Sequence, residues 1–205
     1  MKPRPETPKG EQTRRKIIES AIKLAAKHGF AEASFQMIAD DIGLSQSAVM
    51  YHFREKNALF AEMVQAIIRH NHELVAGMVN IKDGAGERLL KHCLGNVAWA
   101  LRYRRQDAQV LSLLYYLAGR GGTFSELFTG MIARGRERIL GHLLAGVREG
   151  VFRLKCRPEV LAETLQDSLF GAMLYAASAP EGSVTKEGME AKWRNYLAAL
   201  TGWKP

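Results

Sequence analysis

Residues 34–60 read SFQMIADDIGLSQSAVMYHFREKNALF. Ser34 is placed to cap a short helix, and Ile38, Ala39 and Ile42 then recur at helical spacing to make one apolar face. Gly43 follows as the residue that can end such a helix in a left-handed conformation. Leu44 is a buried turn residue, and Ser45 caps a second helix from Gln46 to about Phe53. Val49 and Phe53 of that helix are four apart and point inward. Ser47, Ala48 and Tyr51 are left on the open side, flanked by Gln46, Met50 and His52. A short helix with small and hydrogen-bonding groups on its open face, set across a glycine turn from another, fits a DNA major groove. The pattern is a helix-turn-helix, and Gln46 to His52 is its reading helix.

The run from Thr13 to Phe60 resembles the DNA-binding domain of TetR-family transcriptional regulators. The resemblance rests on His28-Gly29-Phe30, Ile38-Ala39, Gly43-Leu44-Ser45, Tyr51-His52-Phe53, Lys56 and Leu59-Phe60, in this order. Three positions depart from the usual pattern. Ser47 stands where glycine is frequent, Ala48 where threonine is frequent, and Met50 where a tyrosine commonly touches a phosphate. None of the three is a core position. The residues assigned to DNA are Ser34, Ser45, Gln46, Ser47, Ala48, Tyr51, His52 and Lys56.

Composition agrees with a nucleic-acid partner. The 205 residues carry a formal net charge of +8, which favours acidic partners. Residues 1–60 hold 10 Lys and Arg against 7 Asp and Glu, so only +3 of that excess lies there and the rest falls in the second half. No apolar run reaches the roughly 20 residues of a membrane span, and the polar N-terminus lacks the apolar core of a secretory signal. A cytoplasmic location and no membrane contact are expected. Cys93 and Cys156 show no metal-binding or CxxC spacing, and no cofactor or metal is expected.

Taken in order, residues 1 to about 10 read as a basic arm with Lys2, Arg4 and Lys9, able to lie along phosphates or to act as a solubilising tail. A first helix from roughly Glu11 to His28 carries Ile17, Ile18, Ala21, Ile22, Leu24 and Ala25 on one stripe. A longer helix begins at Lys56 or Asn57 and extends to about Val79; because it enters the second half, its tilt can pass motion between the two. Helices are expected over 87–105, 107–118, 125–149, 158–179 and from 185 or 186 to about 201. No strand alternation or repeat is present. The fold class is all-α, with an N-terminal three-helix DNA-binding domain over 1–60 and a helical effector-binding and dimerisation domain over 61–205.

In proteins that resemble this one, the helices over 87–149 enclose a small-molecule pocket. That resemblance makes Trp99, Tyr103, Tyr115, Tyr116, Phe128 and Met131, with Phe170 of the next helix, candidate effector contacts, although aromatic stripes at helical spacing are as readily core. His92 and His142 read as single hydrogen-bonded core or boundary histidines. Gly130, Gly135, Gly141 and Gly146 are costly in one helix, at about 1 kcal/mol each relative to alanine, and imply close packing or mobility. The last two helices carry apolar faces wide enough for a second copy, through Leu165, Leu169, Ala172, Trp193, Tyr196 and Leu200, or else they cover the monomer's own core.

These readings converge on a homodimeric transcriptional regulator, a repressor, that binds double-stranded DNA and is released by a small apolar or aromatic effector. Two other classes stand beside it. One is a protein of the same fold that binds other proteins, or DNA with no effector. The other is an enzyme, for which there is no phosphate loop, GxSxG or HExxH. Asp40 and Asp41 are adjacent on a helix, point about 100° apart, and cannot act as a facing pair.

Overall fold

The computed structural model describes residues 8–180 and 182–205, with the side chains of Arg102 and Tyr103 excepted. Lys2 and Arg4 of the expected arm lie outside the described residues. The described residues are helical throughout and contain no strand: α1 (Pro8–His28), α2 (Phe35–Ile42), α3 (Gln46–His52), α4 (Lys56–Met78), α5 (Ala85–Ala98), a π-helical turn (Trp99–Tyr103), α6 (Arg105–Ala118), α7 (Thr123–Arg148), α8 (Pro158–Ser178) and α9 (Lys186–Thr201). The chain is therefore all-α. It divides into two compact units, Met1–Ile67 and Ile68–Pro205.

The first unit is built on the α1 stripe. Ile17, Ile18, Ala21, Ile22, Leu24 and Ala25 are all buried, and α1 packs on α2, which packs on α3. Ile38, Ala39, Val49, Phe53, Leu59 and Phe60 complete the core. The Phe30 and Phe60 rings meet at 4.6 Å between centroids. α1 starts three residues earlier than expected: Pro8 lacks an amide hydrogen, and the first turn of a helix has no use for one. Lys9 is thus helical and not part of an arm.

In the second unit α5, α6 and α7 all pack against α8, and α9 packs on α5. Leu89, Leu90, Cys93, Leu114, Ile139, Leu143, Leu161 and Leu197 form its interior. The expected helix over 87–105 is interrupted, because Arg104 donates its amide to the carbonyl of Trp99 at 2.9 Å, a five-residue span. Asp107, only 2% exposed, lies 2.7 Å from His70 Nδ1 and accepts from Arg104 Nε at 2.8 Å, and so ties α4 to the start of α6. Glu87 accepts from Arg194 at 2.7 Å, which pins α9 to α5.

The α7 glycines now separate. A Cβ at Gly146 would lie 2.0 Å from the Phe152 ring, and one at Gly135 would lie 2.3 Å from Gln166 Oε1. Both mark close approaches of chain to side chain. Gly141 faces open space, and nothing in its surroundings requires glycine there.

Burial alters the reading of the last two helices. Leu165, Leu169 and Trp193 are 0%, 2% and 3% exposed within one chain. They serve the monomer's own core and are not available to a second copy, because α5, α6 and α7 together occupy the broad apolar side of α8. Ala172, Tyr196 and Leu200 are half-buried. Tyr196 is also tied to its own chain, its hydroxyl lying 2.9 Å from that of Ser168. The surface that α8 and α9 leave includes Thr164, Asp167, Gly171 and Tyr175 on one and Lys192, Asn195 and Ala199 on the other.

Candidate nucleic-acid interface

The candidate interface is fixed by two serine caps and a glycine. Ser34 is extended (φ −93°, ψ 160°), and its hydroxyl oxygen accepts from the Met37 amide at 3.2 Å. Gly43 is left-handed (φ 68°), and its amide and that of Leu44 both donate to the Ala39 carbonyl. Ser45 then repeats the Ser34 geometry, its Oγ accepting from Ala48 N at 3.2 Å and lying 2.9 Å from Ser47 Oγ. A seven-residue helix is marginal alone. Here it is held by the Ser45 cap at its start and by Val49 and Phe53, 0% and 2% exposed, on its inner face.

The outer face is what sequence spacing implies. Ser47 and Tyr51 stand one turn apart at its centre; Tyr51 is 80% exposed. Gln46 is exposed beside them, and Ala48 and His52 are half-buried on one flank. Met50, 44% exposed, is on the other. These groups offer an amide, two hydroxyls counting Ser47 and the phenol, a methyl and a thioether. They can read base edges and thymine methyls, but they carry little charge.

Two charged residues are employed differently from expectation. Lys56 Nζ donates to the Ala31 carbonyl at 2.7 Å and sits 4.9 Å above the Phe30 ring. Desolvation, opposed by Glu32, lowers its pKa. It fastens α4 to the α1–α2 turn. Asp41 is likewise more than a solvated carboxylate. It accepts from Lys23 and, at 2.7 Å, from Ser20 Oγ, and these contacts, Lys23 first, hold its pKa below the usual range. That joins α2 to α1. Arg14 lies 4.5 Å over the Phe53 ring and pairs with Glu62 at 3.1 Å, bracing the end of α3 from within the unit. Arg54, which the motif does not single out, is exposed immediately after α3.

Of the expected effector contacts, the structure brings Tyr115, Phe128 and Phe170 together, with ring centroids 5.6–6.0 Å apart. They form an aromatic cluster on α6, α7 and α8 that reaches the surface, since Tyr115 is 57% exposed. Tyr116 is 63% exposed and Trp99 fully buried. Trp99 is thus a core residue, and Met131 is half-buried on α7. The Tyr103 side chain lies outside the described residues. A cavity of about 410 Å³ opens elsewhere in the same unit, where Met78, Leu94, Ala98, Leu101, Val184 and Met189 supply the apolar lining. Sequence reasoning missed it because its walls come from α4, α5 and the segment entering α9. Burial pushes the Cys93 thiol up, away from reactivity, whereas Cys156 is exposed. No group of three or more His, Cys, Asp and Glu suited to a metal occurs among the described residues.

This architecture defines a helix-turn-helix protein with a separate all-helical unit. Residues 17–63 match the model of bacterial regulatory proteins, tetR family. The chain is 29% identical over 109 residues to a probable acrEF/envCD operon repressor of Escherichia coli K12, a match covering 51% of this chain and 48% of that protein. The chain thus spans about half the length of the curated relatives it matches first. Two solved structures share the fold. A putative transcriptional regulator from Saccharomonospora viridis in complex with choline superposes with a TM-score of 0.78 at 20% identity, covering 91% of this chain and 96% of that one. AibR in complex with isovaleryl coenzyme A and operator DNA does so with a TM-score of 0.69 at 20% identity, covering 93% and 99%.

Proposed function

We propose that the protein is a cytoplasmic, homodimeric transcriptional repressor and not an enzyme, and that a small apolar effector releases it from a pseudo-palindromic operator. The observation that carries this reading is α3, capped by Ser45 at its start and presenting Ser47, Tyr51 and Gln46 outward. Gln46 can pair an adenine edge bidentately, and Ala48 and Met50 can contact a thymine methyl. The exposed Arg54 takes the phosphate role that Lys56 is too engaged to fill. Two half-sites about one helical turn, roughly 34 Å, apart require two reading helices, hence a dimer. The exposed side of α8 and α9, with Gly171 and Ala199, is the surface for it.

The effector reading is supported by the 410 Å³ cavity, a size ordinary for small-molecule sites. It is also supported by the fold neighbour crystallised with both a small molecule and operator DNA. An effector shifts the DNA equilibrium only by its differential affinity for two states, and about 1–3 kcal/mol is the usual coupling. The test is selection of bound fragments from genomic DNA by the purified protein at a stated salt concentration. A pseudo-palindrome with half-sites one turn apart is expected. Salt-sensitive binding without sequence preference would transfer the weight to an interaction protein of the same fold.

A further inference from the structure

The second unit holds a group of basic side chains that raises one another's energy. On α7, Arg134, Arg138 and His142 recur every four residues and so share a face. Across from them α5 presents His92, 5% exposed, whose ring centroid is 5.1 Å from that of His142. His72 of α4 completes the group. Its protonation is disfavoured first by desolvation and then by Arg138 and Arg134. Burial, with His142, Arg138 and His72, pushes His92 down to about 3. Burial, with Arg88 and Arg138, lowers His142, and burial and Arg134 lower even Arg138. Every interaction named among these groups is repulsive. The carboxylates facing them are few: Glu137, on α7 itself, opposes the shift of Arg138, and Glu149 is already bound to Arg88. Arg138 Nε is buried with no hydrogen-bond partner among the described residues. Neither Arg134 nor Arg138 has an ion pair among them.

A half-buried guanidinium whose Nε lacks a partner, as at Arg138, is expensive, and native interiors pair such a group or bind something that does. Mutual destabilisation of titratable groups on facing helices is a mark of a ligand site more than of a scaffold. We infer that His72, His92, Arg134, Arg138 and His142 form an anion-binding site for the carboxylate or phosphate of a small molecule. The guanidinium of Arg138 supplies donors in the fork geometry that oxyanions accept. An anion there would recruit protons to the imidazoles and convert the repulsion into attraction. The site is distinct from the apolar cavity, because Leu94 and Ala98 of the cavity wall lie on the side of α5 away from His92.

The test follows the imidazole resonances of His72, His92 and His142 in the full-length protein while inorganic phosphate, benzoate or its uncharged isostere benzamide is added. Expected are saturable shifts of all three with phosphate or benzoate, and at least about tenfold weaker binding of benzamide. Affinity for the acids should rise as pH is lowered from 7.5 to 6. Arg138→Met should abolish the response and Arg138→Lys should keep part of it, with helical content unchanged in both. No saturable shift with either acid overturns the inference, as does equal affinity for benzamide or undiminished binding by Arg138→Met. The benzoate and benzamide comparison needs no variant to fold. Release of selected DNA by the same acids is a separate readout; binding without release leaves the anion site standing and removes only its part in regulation.

Discussion

The two units treat polar groups in opposite ways. In the first, the polar groups of the scaffold are employed within it: Ser34 and Ser45 cap helices, Asp41 gathers Ser20 and Lys23, Lys56 closes on Ala31 O, and Arg14 on Glu62. What remains outward on α3 is nearly uncharged. The second unit contains well-paired groups too, such as Asp107, yet it keeps Arg138 half-buried, its Nε without a partner among the described residues, beside imidazoles of α4, α5 and α7 that are held neutral. A reading helix has to be rigid and indifferent to everything but base edges. A unit that answers to a ligand holds part of its interior unsatisfied until the ligand arrives.

The largest expected effect tests whether tightness in the second unit is local. Gly146→Ala would force a Cβ against Phe152, a ring 4% exposed and unable to swing away, and should destabilise by about 1–3 kcal/mol. Gly141→Ala meets no atom within 4 Å and should instead stabilise by about 1 kcal/mol through helix propensity. Urea unfolding of the two variants gives both signs. Effects of the same sign would break the assignment of close packing to Gly146.

Acid should separate the units next. His92 has an ordinary pKa of 6.5 and about 3 in the fold, so between those values the unfolded chain binds the extra proton. Stability is then full above 6.5 and falls as pH drops toward 3, by about 2 kcal/mol between pH 7 and pH 5 for this one group. The lowered His72 and His142 act in the same direction. Asp41, lowered from 3.8, keeps its contribution until pH falls below that value. All three tryptophans, Trp99, Trp193 and Trp203, lie in the second unit. Their fluorescence on melting should therefore shift to lower temperature from pH 7 to pH 5. His92→Gln should flatten that dependence; an unchanged slope would contradict the burial of a neutral imidazole.

How much of this was legible in sequence divides along the same line. The helix-turn-helix was readable because its determinants are neighbours: Ser34 caps three residues on, Gly43 turns where it stands, and Val49 and Phe53 declare the inner face by spacing. The bracing contact of Lys56 was not legible, because its acceptor, Ala31 O, is 25 residues away. On α8 and α9 the apolar width was visible, but not that α5, α6 and α7 cover it, which buries Leu165, Leu169 and Trp193 within one chain. The His and Arg group was invisible for the same reason. His92 and His142 each looked solitary, and only the packing of α5 on α7 brings their rings together. Local chemistry reads out of local sequence, and sites assembled from three helices do not.

On the reading helix, Tyr51→Ala should weaken specific DNA binding about tenfold, roughly 1.4 kcal/mol. Because Tyr51 is 80% exposed, the thermal midpoint should not move. Fluorescence anisotropy on a selected fragment measures the first and a melt the second. A fall in the midpoint matching the loss of affinity would return Tyr51 to the scaffold.

The smallest effect discriminates between the two basic residues that follow α3. If Arg54 neutralises one phosphate, Arg54→Ala should lower the slope of log affinity against log salt by about one unit and leave stability alone. Lys56→Met keeps an apolar stem over Phe30 but removes the donor to Ala31 O, so it should cost stability, about 0.5–1.5 kcal/mol for one hydrogen bond, with little change in salt slope. The two variants are thus mirror images, one altering the interface and the other its support. If instead Lys56→Met reduced the slope and Arg54→Ala did not, the ammonium would have to leave Ala31 for the phosphate on binding, and the N-terminal unit would share the trait assigned to the other: a polar group held in reserve for its ligand.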